Sequence, residues 1–379
     1  MTPERFDMAV IGGGIAGISV AYFLAKADRG RVVLLEGEML GAGATAYSSG
    51  GVRQQFSTPL EIELSIRALA FWKSAEERFQ SPCTFTETGY LFVTTRESWL
   101  ERLRDAAHLQ TKMGAGPAHI LGPQELGELA PWLVSDDLAG GCWTPQDGRM
   151  VPADGVAAIA RGARACGAVI RQNSAVCRIE RIRGGFRLPI RHGVVEAETV
   201  IVAGGLSTPG LVEPLGHTVE IRPWMIHYAY TAPALTDHHL PTMIDLDLGM
   251  TVKRDGHGLN LGILDEKSNF DSTAADMLEA FFAAASIRAP SLVDVGIIRM
   301  ISAAADLSVD GHPYAGQLED GIWLLAGFGG HGTMHGPVLA EWLVDAITGA
   351  DISDRLLAFD PHRTGTATDH EWMIASRKP

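Results

Sequence analysis

The sequence predicts an α/β protein: a nucleotide-type parallel sheet split along the chain by a second, α+β unit built on a mixed or antiparallel sheet. Three observations carry this expectation. A glycine motif sits between a strand and a helix at the N-terminus. A second strand, glycine-rich turn and helix lie about 300 residues further on. Between them runs a long stretch of alternating, strand-rich sequence.

The N-terminal unit is the most specific. Asp7–Ile11 reads as a strand, Gly12, Gly14 and Gly17 supply G-x-G-x-x-G, and a helical run follows from Ile15 to about Lys26. Arg31–Leu35 is a second strand that ends on Glu36 and Gly37. Gly12 permits a tight turn, Gly14 lets backbone approach a pyrophosphate, and Gly17 lets helix and strand pack closely. The helix start, with Ile15 and Ala16, offers unpaired N–H groups and a positive dipole end. Glu36 stands where a carboxylate accepts hydrogen bonds from ribose hydroxyls. Glycine turns are common, but this context makes the motif a dinucleotide site.

The next segment, Gly41–Arg53, is nearly all small residues and cannot form a core. Placed directly after a strand end, where α/β crevices open, it reads as backbone laid against a ligand, with a floppy linker as the alternative. Residues 61–79 carry helical periodicity, 88–94 are strand-like, 99–113 are helical and 138–143 extended. A helix over 154–166 leads to a strand over 169–173. Sheet continues over 175–182, 186–191 and 194–196, then a buried strand from Thr199 runs into Ala203, Gly204 and Gly205. From 217 to 264 the pattern alternates, as in an antiparallel sheet with one wetter face; 276–289 is helical. Ile322–Ala326 is a buried-type strand that enters Gly327–Met334 and a helix to about Ile347. Two strand–glycine–helix units in one chain suit a larger, two-ended cofactor better than a simple NAD site.

Bulk properties narrow the class. At 379 residues the chain is long for one core and suits two domains. A net charge of −14 leaves no basic stripe for nucleic acid. No apolar run is long enough to span a bilayer, and no signal peptide is expected before the first strand. Cys83, Cys142, Cys166 and Cys177 lack C-x-x-C spacing and read as thiols of a reducing compartment, so the expected location is cytoplasmic. His331 and His335 are four apart but lack an H-E-x-x-H context, so no metal is expected. No G-x-S-x-G supports a serine hydrolase.

With these motifs in hand, the chain resembles the FAD-dependent amine oxidoreductases of the D-amino-acid oxidase superfamily. It is most similar there to the beta subunits of sarcosine oxidase, to proline and opine dehydrogenase subunits, and to glycine and monomeric sarcosine oxidases. The stretches that carry the likeness are residues 10–24, 32–36, 41–59, 87–93, 144–155, 200–211, 310–316 and 324–349, in the family's order. The resemblance implies a Rossmann-like, glutathione-reductase-like FAD-binding domain in three parts, 1–84, 146–215 and 299–365. The substrate domain then occupies 85–145 and 216–298, and 366–379 form a C-terminal tail. It also implies that the FAD site includes Gly43, Ala44, Thr45, Ser48, Ser49, Gly50 and Gly51. Val176, Ala203, Gly204 and Gly205 join it, with Gly329, Gly330, His331, Gly332, Thr333 and Met334 along the isoalloxazine. N–H groups in that turn would face the flavin edge that gains negative charge on reduction.

The chain also departs from the family. The arginine by which monomeric sarcosine oxidases grip the substrate carboxylate falls at Phe56, and their second carboxylate partner, a lysine, falls at Met334. The preceding family arginine is kept as Arg53, which reads equally as a flavin-side cation or a structural one. The covalent flavin attachment points fall at Arg299–Ser302 and at Tyr47, so non-covalent FAD is expected. His331, in a turn that needs no core ring, is expected beside the flavin, with a helix-start or packing role as the alternative. Arg299 is the next candidate for a substrate carboxylate, with a surface or inter-domain salt bridge as the alternative. Arg222 has a weaker claim. Tyr228 and Tyr230 share a strand face and either cap the substrate or pack the sheet. Lys253 reads as solvent-exposed.

The expected activity is oxidation of the C–N bond of an amino acid or secondary amine by hydride transfer to flavin N5, giving an imine that hydrolyses. Positioning supplies much of the rate, so no base is required. The alternatives are a 2-hydroxy-acid dehydrogenase and a non-catalytic flavoprotein subunit. The expected partners are a small amine or amino acid and, from the beta-subunit likeness, another flavoprotein or electron-transfer subunit.

Overall fold

A computed structural model describes residues 3–264 and 272–363. The expected tail, 366–379, lies outside the described residues. The chain forms two eight-stranded sheets and a small two-stranded one. The first sheet runs in the order Tyr314–Glu319, Ile322–Ala326, Gly193–Val202, Glu4–Ile11, Val32–Leu35, Val169–Arg171. From Ile322–Ala326 onward its neighbours on this path are parallel. The hairpin Glu180–Ile182 and Gly185–Ile190 adds to the early half of Gly193–Val202. All four residues of Val32–Leu35 are buried, as a strand covered on both faces requires. Side-chain alternation then separates two cores. Val10, Val32 and Leu34 pack with the helices Ile15–Lys26, Pro152–Ala165 and Gly332–Ile347. Ile11, Val33 and Leu35 pack with Leu211, Val212 and Leu215 on the other side.

The second sheet is mixed, as expected. Its order is Ile297–Ser308, Ile221–Thr231, Gly258–Ile263, Met250–Asp255, Thr242–Asp245, Tyr90–Thr94, Gly140–Thr144, His119–Leu121. Every pair is antiparallel except Thr242–Asp245 with Tyr90–Thr94. The helix Ala274–Arg288 covers one face through Met277, Phe281, Ala284 and Ala285. A Thr273–Asp276 capping box starts it. Arg288, at its last turn, is fully buried. It donates to Asp245 Oδ2 at 2.8 Å, to Asp137 Oδ1 at 2.6 Å and to the Val134 carbonyl at 2.6 Å.

Two elements differ from the sequence expectation. The helix expected over 61–79 is two helices, Pro59–Lys73 and Ala75–Phe79. The Ser74 hydroxyl donates to the Phe71 carbonyl at 3.0 Å, a local bond that competes with regular helix. The strand Ile297–Ser308 runs through Arg299 and on for nine residues beyond it. Its run Ser302–Asp306 has little intrinsic strand preference, yet it pairs residue by residue with Trp224–His227 and Pro223. This strand crosses residue 299, where the third FAD-binding part was expected to start, and belongs to the second sheet at both ends of the crossing. It then bridges to the glycine turn through Leu307 and Phe328.

Replacing Arg288 by leucine leaves Asp245 buried without its cation, and is expected to cost about 3–5 kcal/mol. Thermal unfolding of the purified protein checks this; an unchanged midpoint would contradict it.

Candidate active site

A cleft of about 550 Å³ lies where the two sheets meet. One end is built by the first glycine motif. Gly12 has φ +104°, and a Cβ on it would stand 2.3 Å from the Ala203 carbonyl oxygen. A Cβ on Gly17 would stand 2.0 Å from the Gly12 carbonyl oxygen. Only glycine fits either position. The Glu36 carboxylate accepts from the Gly13 N–H at 2.6 Å and the Glu38 N–H at 2.7 Å, which fixes it at the mouth of the turn. Thr45 Oγ1 accepts from the Ile15 N–H at 3.1 Å and so ties the small-residue segment to the helix start.

The cleft lining takes in most of the expected cofactor residues: Gly12, Gly14, Ile15 and Ala16, then Glu36 and Gly37, then Gly43, Ala44, Thr45, Ser48 and Ser49. Val176, Ala203, Gly204 and Gly205 follow, with Gly330, Gly332 and Thr333 at the far end. Gly17, Gly50, Gly51, Gly329, His331 and Met334 are not among the lining residues. Gly50 and Gly51 are close-approach positions: a Cβ would stand 1.8 Å from the Met150 carbonyl oxygen and 1.9 Å from the Tyr90 hydroxyl oxygen. Gly329 has φ +56° and donates to the Asp306 carbonyl at 2.8 Å. Met334 Sδ accepts from the Arg53 N–H at 3.3 Å.

The second glycine turn opens the helix Gly332–Ile347, with His331 at its N-cap. The Thr333 hydroxyl donates to Ser48 Oγ at 2.9 Å, so the two cofactor walls are directly joined. The turn is propped from behind by buried polar groups. His331 packs against Phe56 and stacks on His335 at 5.9 Å between ring centroids. His335 Nε2 lies 2.9 Å from Ser65 Oγ, and burial pushes its pKa down to about 3, which keeps it neutral. His312 Nδ1 lies 2.9 Å from Glu61 Oε1, both side chains being buried. Burial opposes both charges, but the bond and attraction between them hold Glu61 below and His312 above their ordinary values.

The expected catalytic residues fall in different places. Tyr228 lines the cleft, on the face of the second sheet that covers it. Arg53 is buried, with its guanidinium 4.0 Å from the Phe56 ring centroid and donating to the Gln55 carbonyl. Arg299 is exposed on the edge strand and stacks on Tyr230 at 4.4 Å. His331 is buried and is not among the residues that line the cleft, although Gly330 and Gly332 on either side of it are.

Two cleft-side groups were missed from the sequence. Asp306 lines the cleft at the end of an alanine run. Its Oδ2 accepts from the Gly327 N–H at 2.7 Å, and burial raises its pKa. Lys253, read as solvent-exposed, is partly buried and donates to Ser49 Oγ at 2.9 Å. The signal for Asp306 was a lone acid at the end of a small-residue strand; for Lys253 the alternation of its hairpin gave only a face.

Asp147 supports the wall from beneath. Its Oδ2 accepts from the Gln54 N–H at 3.0 Å and the Thr144 hydroxyl at 2.5 Å, while Oδ1 meets no donor among the described residues. Burial pushes its pKa up to about 7. Among the described residues no group of three His, Cys, Asp or Glu side chains is placed to hold a metal. None of the described helices is long and apolar enough to cross a membrane.

The glycine approaches, the two helix starts and the unbroken cleft between them fit a long dinucleotide. The family model described as FAD dependent oxidoreductase (DAO) matches residues 7–346. The chain belongs to this family of FAD-dependent oxidoreductases. It is 26% identical to mouse (Mus musculus) mitochondrial sarcosine dehydrogenase, over 99% of this chain and 43% of that protein. It is 27% identical to glycine oxidase of Geobacillus kaustophilus, over 91% of this chain and 93% of the enzyme. The structure of L-proline dehydrogenase from P. horikoshii superposes with a TM-score of 0.88 at 25% identity, covering 96% and 98% of the two chains. The chain thus spans less than half the length of the sarcosine and dimethylglycine dehydrogenases it matches. The α/β fold with a mixed second sheet is that of the family.

Because the Asp147 carboxyl is held protonated by burial, its contribution to stability is fully present below about pH 4 and is lost as pH rises towards 7. Asp147→Asn keeps an acceptor for both donors and removes this loss. Between pH 4 and 7 the variant is expected to gain on the wild type by on the order of a few kcal/mol. Thermal midpoints across that range check it; parallel profiles would contradict it.

Proposed function

We propose that this flavoprotein oxidises the C–N bond of an amino acid or secondary amine. One observation carries the reading: the cleft runs without a break from the Gly12–Gly14 turn to the sheet face carrying Tyr228 and Ala303–Ala305. A cofactor in the first part therefore ends against a second, substrate-covering surface. Relatives named for sarcosine, glycine and proline support an amine as the group oxidised. FAD bound here supplies a hydride acceptor at flavin N5, and the imine product hydrolyses in water.

The chain's own groups then have distinct tasks. The start of the helix Ile15–Lys26 would receive the pyrophosphate, and Glu36 would receive the adenosine ribose. The N–H groups of Gly330, Gly332 and Thr333 would face the flavin edge where charge develops, the His331 N–H being taken by the Phe328 carbonyl at 3.0 Å. His331 tunes that edge from the N-cap, held by Phe56 and His335. Arg53 fixes the wall, Tyr228 caps the substrate, and Arg299 offers a cation at the rim. Small side chains at 303–305 leave room for the substrate. FAD is held without a covalent bond, because Tyr47 and Arg299–Ser302 carry neither histidine nor cysteine.

The divisions at 84/85, 145/146 and 215/216 belong to this proposal, supported by which sheet the flanking strands join. The strand Ile297–Ser308 stays in the second sheet across 298/299, so the last boundary is drawn after Ser308 instead. A reducing, cytoplasmic location is also part of the proposal, supported by four thiols without a disulfide. A partner subunit belongs to it too, resting on the likeness to sarcosine oxidase beta subunits.

Mixed anaerobically with secondary amines and with D- and L-amino acids, the FAD-loaded protein is expected to lose its visible flavin absorption with at least one of them. Failure of all, with hydroxy acids also inert, would reject the catalytic reading. Acid precipitation is expected to leave the flavin in the supernatant.

A further inference from the structure

One acid of the cleft has no task in the proposed reaction. Asp306 lies where the strand Ile297–Ser308 leaves the second sheet for the glycine turn, and close contacts put it between the two ends of the cleft. The first end abuts the end of Gly193–Val202. A Cβ on Gly12 would stand 2.3 Å from the Ala203 carbonyl oxygen and 3.3 Å from Gly204 Cα. Gly205 follows with φ +53°, and the atoms nearest to a Cβ placed on it are Asp306 Oδ2 and Cγ, at 3.9 and 4.0 Å. Oδ2 in turn accepts from the Gly327 N–H at 2.7 Å, and the Asp306 carbonyl accepts from the Gly329 N–H at 2.8 Å. Gly12, Gly205, Asp306 and Gly330 all line the cleft. Asp306 therefore spans the interval between the two glycine turns.

The first turn shows the same pattern. There Glu36 lines the cleft and accepts from the Gly13 N–H at 2.6 Å, so a backbone bond holds a carboxylate at the ligand's edge. Asp306 repeats this on the Gly327 N–H. The N–H groups of Gly327 and Phe328, and its own, favour the ionised carboxyl, yet burial outweighs them and raises its pKa. A buried carboxyl in that balance is short of polar partners, and its remaining side is the cleft. We infer that Asp306 binds the cofactor: its carboxyl takes a hydroxyl of the FAD ribityl chain. In the proposed site the pyrophosphate and the isoalloxazine belong to the two glycine turns, and the ribityl chain is the part of FAD that joins them. It is a run of hydroxyls, as is the ribose assigned to Glu36. A hydroxyl both donates and accepts, so it serves the carboxyl whether ionised or protonated. The inference concerns how FAD is held and stands apart from which amine is oxidised.

The test measures affinity without turnover. Apoprotein is titrated with FAD and with three analogues, each lacking one ribityl hydroxyl, and the change in flavin fluorescence is followed. The wild type is expected to bind at least one analogue roughly 10- to 100-fold more weakly than FAD. In Asp306→Ala that difference is expected to fall to within about 3-fold, with FAD itself bound roughly 10- to 100-fold more weakly than by the wild type. Asp306→Asn keeps an acceptor for the Gly327 N–H and is expected to bind FAD more tightly than the alanine variant. A carboxyl that only pins the turn gives a different result. The alanine variant then weakens FAD and every analogue by the same factor, which overturns the inference. Equal affinity of the wild type for FAD and all three analogues overturns it too, whether or not the variant folds. Apoprotein that binds no FAD removes the cofactor reading along with it. Asp306-dependent binding with no bleaching by any amine removes only the proposed oxidation.

Discussion

The close approach of Gly17 to the Gly12 carbonyl and to Ala203 sets the geometry of the whole molecule. A Cβ on Gly17 would come within 3.2 Å of the Ala203 Cβ as well as clashing with the Gly12 oxygen. This contact seats the helix Ile15–Lys26 against two parallel strands at once, although they are almost 200 residues apart in sequence. The end of Gly193–Val202 is thereby brought beside the first glycine turn. Ile322–Ala326 pairs with that same strand and delivers the second turn to the same edge. A crevice at the carboxyl ends of parallel strands follows from this arrangement.

The cleft depends on a second constraint, the joining of its two walls. Thr45 ties the small-residue segment to the first helix, and Thr333 ties it to the second glycine turn. Behind that turn lies a buried layer containing Glu61–His312 and His335–Ser65, with Arg363 on Asp310 beyond it. Charged groups are costly to bury, and each of these is paired or held neutral. The layer fixes where the turn's N–H groups sit, which is the property a preorganised electrostatic site requires. The strand Ile297–Ser308 links this apparatus to the substrate-covering sheet: its backbone continues the sheet while the Asp306 carboxylate holds the Gly327 N–H.

The parts legible in the sequence were those whose physics is local. A glycine between strand and helix, an acid at a strand end and a run of small residues each have one main use, and they mark most of the cleft lining. The parts that escaped depend on distant partners. Ser302–Asp306 has the composition of a turn or helix, and only its pairing with Pro223–His227 makes it strand. Lys253 looks like an ordinary hairpin cation until Ser49, some 200 residues away, is brought to it. Arg53, Arg299 and His331 were chosen by chemical type. Type alone does not specify a direction: one is stacked inside the wall, one lies on the outer edge, and one caps a helix.

The central claim is that three segments far apart in sequence form one FAD site. Hydrogen–deuterium exchange of the protein with and without FAD tests it directly. Protection is expected together in residues 12–17, 43–49, 203–205 and 330–333. Protection limited to the first glycine motif would contradict a single site assembled from all of them.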